Sequence, residues 1–270
     1  MADAHRKLTI TRVDRQQWVR EYDLAATEEP MEVRVEGESF AVLMRTPGAD
    51  RELAVGFLFS ERVILGAHEI GTVEYCVDPD DPHLKNIVNV HVLGDAVSTR
   101  LNQQRRRVVT TSACGLCGRG TIESLRVDTP PIETTKTLEA RVVTALASRL
   151  RSKQRGFDRT GGLHAAGLFD LSGELETLAE DVGRHNAVDK VIGRRLFCDE
   201  LPLTTSLLFV SGRAAFEIVQ KALLAGIPFV CAVSAPTSLA VELAEQTGIT
   251  LLGFVRGDTF NIYSHPERVH

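Results

Sequence analysis

The chain has 270 residues, 43 % of them apolar and 25 % charged, with a net charge of −5 at pH 7 and a pI near 5.9. That length and composition suit one large or two modest globular domains, and exclude a disordered or disulfide-stapled chain. The acidic balance argues against a general attraction to nucleic acid or to an anionic membrane, so any anion site must be local.

The opening MADAHRKLTITR lacks the apolar core of a secretory signal, and no later stretch is apolar long enough to span a bilayer. Cys76, Cys114, Cys117, Cys198 and Cys231 form an odd set with three isolated members. Both features suit a reducing compartment, and the expectation is a cytoplasmic protein.

In chain order, Met31, Val33 and Val35 alternate before a Glu36-Gly37-Glu38 turn, and Phe40, Val42 and Met44 alternate after it, which is the two-residue period of a hairpin. Pro47-Gly48 breaks the second strand, and Leu53, Phe57 and Leu58 mark one face of a helix from Asp50 to about Arg62. The acidic run from Asp78 to Pro82 reads as a loop, and Val88, Val90 and Val92 as one face of a strand. The triple arginine Arg105-Arg106-Arg107 reads either as a solvated surface run or as charge that favours a nearby thiolate or holds phosphate.

Residues 110–121, TTSACGLCGRGT, then set Cys114 and Cys117 in a CxxC spacing among three glycines. Glycine leaves such a loop free to carry its thiols toward a partner. A structural zinc site needs four ligands, and neither a second CxxC nor a paired-histidine spacing accompanies this one. Zinc deaminases carry PCxxC with an upstream HxE, whereas here Ala113 precedes Cys114 and His164-Ala165-Ala166 lies downstream without the glutamate. A thioredoxin-type pair caps a helix directly after a strand, unlike this glycine-rich loop. The residues alone therefore leave thiol-based group transfer and redox exchange open.

Pro130-Pro131 and the threonines that follow read as a linker, which places a domain boundary at 136 and gives domains of 1–136 and 137–270. Leu138, Val142, Leu146 and Leu150 mark a helix, Gly156 to Gly162 a loop, and LHAAGLFD followed by Leu171 to Leu175 a hairpin with a glycine turn. In the dense segment 180–190, Asp181 is placed to cap a helix, and His185 and Asp189 share one helical side and could pair.

From residue 204 the pattern is regular. The strands SLLFV, IPFVCAV and ITLLGFV each end in a polar turn: Ser211-Gly212-Arg213, Ser234 to Thr237, and Arg256-Gly257-Asp258. Strands alternating with amphipathic helices predict βαβ units and a parallel sheet, whose strand ends and helix N-termini converge on one anion-ready edge. Ordinary turn chemistry is the competing explanation for each turn taken singly. No GxGxxG or GxxxxGK[ST] string supports a dehydrogenase or an NTPase.

Seven strings resemble the FdhD family, sulfurtransferases needed to make active formate dehydrogenase: RTPGADRELAVGFLFSE at 45–61, TSACGLCG at 111–118, TGGLHAA at 160–166, EDVGRHNAVDKVIG at 180–193, SGRAAFEIVQKA at 211–222, AGIP at 225–228 and SAPTSLAVELAEQTG at 234–248. The resemblance implies an N-terminal α+β lobe with a mobile CxxC loop and a C-terminal three-layer α/β lobe, whose mixed sheet resembles the cytidine deaminase-like fold. It also implies a sulfur carrier, which takes sulfane sulfur from a cysteine desulfurase as a persulfide. The sulfur then passes to the molybdenum bis-guanine dinucleotide cofactor before that cofactor enters the apo-formate dehydrogenase, and guanine nucleotides would mimic the ligand.

By that resemblance Cys114 is the persulfide carrier and Cys117 an auxiliary thiol. Phe254, Val255, Arg256, Gly257, Asp258 and Thr259 match the cofactor-binding segment. Ser211, Gly212, Arg213, His164 and His185 complete the candidate cofactor-binding set, in which Arg213 or Arg256 could pair with phosphate oxygens. No resident metal, nucleic acid or membrane is implied, and a homodimer is a candidate assembly. The alternative reading is a non-catalytic chaperone that binds and delivers the cofactor.

Overall fold

The computed structural model describes residues 4–76, 86–105 and 129–270. The CxxC loop with Cys114 and Cys117, Arg106-Arg107 of the arginine run, and the acidic run from Asp78 to Pro82 lie outside those residues. Residues 5–26, given no element from sequence, form a hairpin of β1 (His5–Asp14) and β2 (Gln17–Ala26) that pairs with no other strand.

The expected hairpin follows as β3 (Glu29–Val35) and β4 (Glu38–Arg45), turning through Glu36 and Gly37 at φ +53° and +79°. With β5 (Ile70–Cys76) and β6 (Ile87–Val92) it makes a four-stranded sheet of order β4-β3-β6-β5. Helix α1 (Asp50–Ser60) buries Leu53 and Leu58 as predicted, and α2 (Asp95–Arg105) buries Val97.

The C-terminal part comprises α3 (Ala140–Arg151), α4 (Arg155–Thr160), β7 (His164–Asp170), β8 (Leu175–Asp181), α5 (Arg184–Phe197), β9 (Ser206–Val210), α6 (Phe216–Leu224), β10 (Phe229–Ala232), α7 (Ser238–Thr247), β11 (Thr250–Arg256) and β12 (Thr259–Ile262). The sheet runs β12-β11-β10-β9-β7-β8, with β9, β10 and β11 parallel and β7 and β12 antiparallel to their neighbours. The architecture is mixed α+β. Strand alternation splits the core: Leu208, Val210, Val230, Ala232 and Leu251 face the layer of α5, α6 and α7, while Leu207, Phe209, Phe229, Cys231 and Leu252 face α3.

Three local expectations are corrected. Leu138 precedes α3 and bridges Val269, because its backbone joins the C-terminal segment; Val143 supplies the helix's buried stripe with Leu146 and Leu150. The stretch 156–162 contains α4, which the Glu180 carboxylate starts by accepting from the backbone N–H groups of Gly156 and Phe157, each at 2.8 Å. The third polar turn leads into β12 rather than into a helix.

One apolar core is continuous from Met31 and Leu53 through Val188 to Val219, across residue 136. Its seam is the α1–α5 crossing. A Cβ on Gly56 would lie 1.9 Å from the Asp189 carbonyl oxygen, and one on Gly193 1.9 Å from that of Glu52, so two glycines let the helix backbones touch. Among the described residues no helix is long and apolar enough to cross a membrane.

Candidate functional site

The charged strings picked out in the sequence form one interlocked seam. Arg45, fully buried, clasps Asp50 through Nε and Nη2 at 3.0 and 3.2 Å, closing the Pro47-Gly48 turn, and Gly48 N–H donates to the same carboxylate. Asp181, with no exposed surface, accepts from Thr46 N–H at 3.1 Å, Gly183 N–H at 2.8 Å and Asn186 Nδ2 at 2.9 Å, and pairs with Lys190 Nζ at 2.6 Å. Lys190 also donates to the Thr46 carbonyl at 2.8 Å. Asp181 is therefore a buried anchor between the two halves of the chain rather than a helix cap; Gly183 occupies the N-cap of α5.

The expected His185–Asp189 pair does not form, because each finds a partner on another element. Asp189 takes Lys221 Nζ at 2.6 and 2.8 Å and Ser60 Oγ at 2.7 Å, while His185 Nε2 lies 2.9 Å from Glu217 Oε2.

The strand-end edge is built differently. The C-termini of β9, β10 and β11 converge there, and because β7 runs antiparallel to β9, its first residue His164 arrives at the same edge as Ser211. Ser211 is fixed by a reciprocal pair with Ala165: its N–H donates to the Ala165 carbonyl and its Oγ accepts from Ala165 N–H. The three turns are linked by backbone bonds from Ser234 N–H to the Gly212 carbonyl and from Phe254 N–H to the Ser234 carbonyl. A Cβ on Gly212 would lie 3.3 Å from His164 Nδ1, so that glycine admits the imidazole against the turn.

Around this frame Arg213, Arg256, Asp258 and Thr259 are exposed. Arg256 Nε donates to the Val233 carbonyl, and its guanidinium lies 5.9 Å from the ring centroid of Phe254, itself exposed at φ +53°. Gly257 turns the chain at φ +53°, and Thr259 Oγ1 donates to the Arg256 carbonyl. Val255 faces the opposite way, buried in the core beneath α3. The N-termini of α5 and α6 at this edge carry no side-chain cap, whereas Thr237 Oγ1 caps α7.

The electrostatics single out two residues the sequence did not. Arg184, in the first turn of α5, has a buried Nε without a hydrogen-bond partner among the described residues, as has Glu217 Oε1. Half-burial lowers the His164 pKa from its ordinary 6.5, and the charges of Arg184 and His185 lower it further. Burial alone would raise the Glu217 pKa, but the His185 contact and the charges of His185, Lys221 and Arg184 outweigh it, leaving the carboxyl below its ordinary 4.5. The edge thus combines cationic donors, a neutral imidazole and an open carboxylate oxygen, chemistry that suits phosphate on one side and N–H groups on the other. Arg184 and Glu217 sit inside the strings EDVGRHNAVDK and SGRAAFEIVQK, so their location was readable but their convergence was not.

A model of the FdhD/NarQ family matches residues 26–270. The chain belongs to that family. It is 48 % identical over 256 residues to the sulfur carrier protein FdhD of Streptomyces avermitilis, covering 92 % of this chain and 89 % of the relative. It is 40 % identical to that of Saccharolobus solfataricus, with 98 % of each chain covered, and 43 % identical to that of Mycobacterium tuberculosis, with 99 % of each covered. Its fold is shared with a crystal structure described as a formate dehydrogenase accessory protein from Desulfotalea psychrophila, at a TM-score of 0.77 and 23 % identity, covering 99 % of this chain and 100 % of that one. The FdhD/NarQ match spans both sheets and the seam between them, so the interlocked strings lie within the family's shared part.

Proposed function

We propose that this protein is a sulfur carrier serving formate dehydrogenase. The Cys114 thiolate attacks the terminal sulfur of a cysteine desulfurase's persulfide; that S–S bond breaks, the donor leaves as a thiolate, and Cys114 holds the persulfide. The molybdenum bis-guanine dinucleotide cofactor is the acceptor. Its metal takes the outer sulfur and supplies the two electrons that make it a sulfido ligand, returning the Cys114 thiolate. Cys117 is the auxiliary thiol.

The observation that carries the acceptor side is the strand-end edge, where open donors meet an open carboxylate oxygen. Arg184, Arg213 and Arg256 would meet pyrophosphate oxygens, and Glu217 and Asp258 the N–H groups of guanine. His164 and His185 line the same surface, and the close approach at Gly212 leaves the backbone accessible. Relatives at 40–48 % identity that bear the name sulfur carrier support the reading.

The test is incubation with a cysteine desulfurase and isotopically labelled cysteine, followed by mapping of the label by mass spectrometry. Wild type should carry the label on Cys114, and Cys114→Ala should carry none; equal loading of the two proteins would sink the assignment. Restoration of formate dehydrogenase activity by the Cys114→Ala, Cys117→Ala double variant would favour a non-catalytic cofactor chaperone instead.

A further inference from the structure

The β1–β2 arm is the part of the molecule least explained by its own packing. Its strands pair only with each other over ten residues, so it extends about 34 Å. A two-stranded ribbon is marginal in water unless something covers a face. Yet Trp18 is 75 % exposed, Tyr22 67 % and Val13 53 %.

The register sorts its side chains. His5, Lys7, Thr9, Thr11 and Val13 lie opposite Ala26, Leu24, Tyr22, Arg20 and Trp18 on one face. That face has no carboxylate. Its Lys7 ammonium sits 4.0 Å from the Tyr22 ring centroid, and Arg20 lies two residues along the strand from each aromatic. All three acids of the ribbon, Asp14, Glu21 and Asp23, fall on the other face, beside Arg6 and Arg12. Residues 5–26 hold five lysines and arginines against three carboxylates, a net +2 in a chain of −5. Exposed aromatics interleaved with cations, with acids cleared from the face, fit an acidic protein surface that has an apolar seat.

The root of the arm fixes where such a partner would sit. Ala4 and His5 line a cleft of about 460 Å³ with Leu163, Glu180, Lys190, Arg155 and Arg159. Leu163 directly precedes His164, and Ala26 packs against Gly162. The arm therefore springs from the same sheet edge that carries the candidate cofactor site. We propose that its aromatic and cationic face is the docking element for the protein that takes up the cofactor from that edge, the cofactor-free formate dehydrogenase, through an acidic patch on that enzyme. This inference rests on the cofactor reading above.

The test measures binding of full-length protein to purified cofactor-free formate dehydrogenase from the same organism by biolayer interferometry, and in parallel binding of GDP by calorimetry. Trp18→Ser with Tyr22→Ser, and separately Lys7→Glu with Arg20→Glu, should each weaken binding to the enzyme at least tenfold. GDP binding and the thermal midpoint should stay unchanged, since these side chains are exposed. Wild-type binding to the enzyme should weaken as salt rises from about 50 to 500 mM. Enzyme binding within twofold of wild type in both double variants would overturn the proposal, as would no binding by wild type. So would sedimentation showing that the arm variants convert a dimer to monomers, which would make a second copy the occupant. Loss of GDP binding in wild type with enzyme binding intact would instead strike the cofactor reading and leave the arm's docking role standing.

Discussion

The seam between α1 and α5 and the strand-end edge draw on the same strings and are both rich in ionisable residues, but they spend them in opposite ways. In the seam, Asp181 meets Lys190 and Asp189 meets Lys221, each acid buried and ringed by further donors. At the edge, Arg184 Nε and Glu217 Oε1 are buried without partners and Arg213 is exposed. Charge density in a sequence thus marks a place where something must be neutralised, and only pairing tells whether the protein or a ligand does it.

The sharpest way to break this contrast is to remove one partner in the seam. Lys190→Ala leaves Asp181 buried and uncompensated and should cost about 3–5 kcal/mol, read as a lowered urea midpoint. Gly193→Ala places a methyl group against the Glu52 carbonyl, and the helices must separate; a loss of about 1–3 kcal/mol is expected in the same assay.

At the edge the signature reverses. Arg184→Ala should leave the urea midpoint nearly unchanged and weaken GDP binding about tenfold, near 1.4 kcal/mol by calorimetry. The same variant should raise the NMR titration midpoint of His164, which in wild type lies below its ordinary 6.5, because one of the charges that keeps the ring neutral is gone.

Glu217 offers a pH test of the border between the regions. Its folded-state pKa is depressed, so its stabilising contribution is complete above the ordinary 4.5 and is lost as pH falls through the folded value. Glu217→Gln should flatten that acid limb of the stability profile; an unchanged slope would remove Glu217 from the coupled group. The smallest effect is expected in the arm. Its loop residues Arg15 and Gln16 hold φ of +42° and +74°, a pair that favours Asn-Gly, and Arg15→Asn with Gln16→Gly should stabilise the protein by up to about 1 kcal/mol.

The sequence by itself determined the local elements wherever one period and one pair of flanks were decisive. The β3–β4 hairpin, α1 broken off by Pro47-Gly48, and the three strands after residue 204 all follow from alternation, helical stripes and turn residues. It also determined family membership, because long strings such as EDVGRHNAVDK carry it, and it marked Cys114 and Cys117 as the thiols to test. Sequence missed the arm, whose two faces mix apolar and charged side chains and so show no clean alternation. It also made the third turn a helix start, since nothing local distinguishes a chain that returns as β12 from one that enters a helix.

Tertiary structure alone decided which charged residue meets which. His185 and Asp189 share a helical face and look like partners, but burial against α6 gives them Glu217 and Lys221, because a buried charge takes the closest compensating group whatever its distance along the chain. The same packing brought His164, Ser211, Arg184 and Phe254 to one edge from four separate strings. That convergence depends on strand order and direction, which no local pattern encodes.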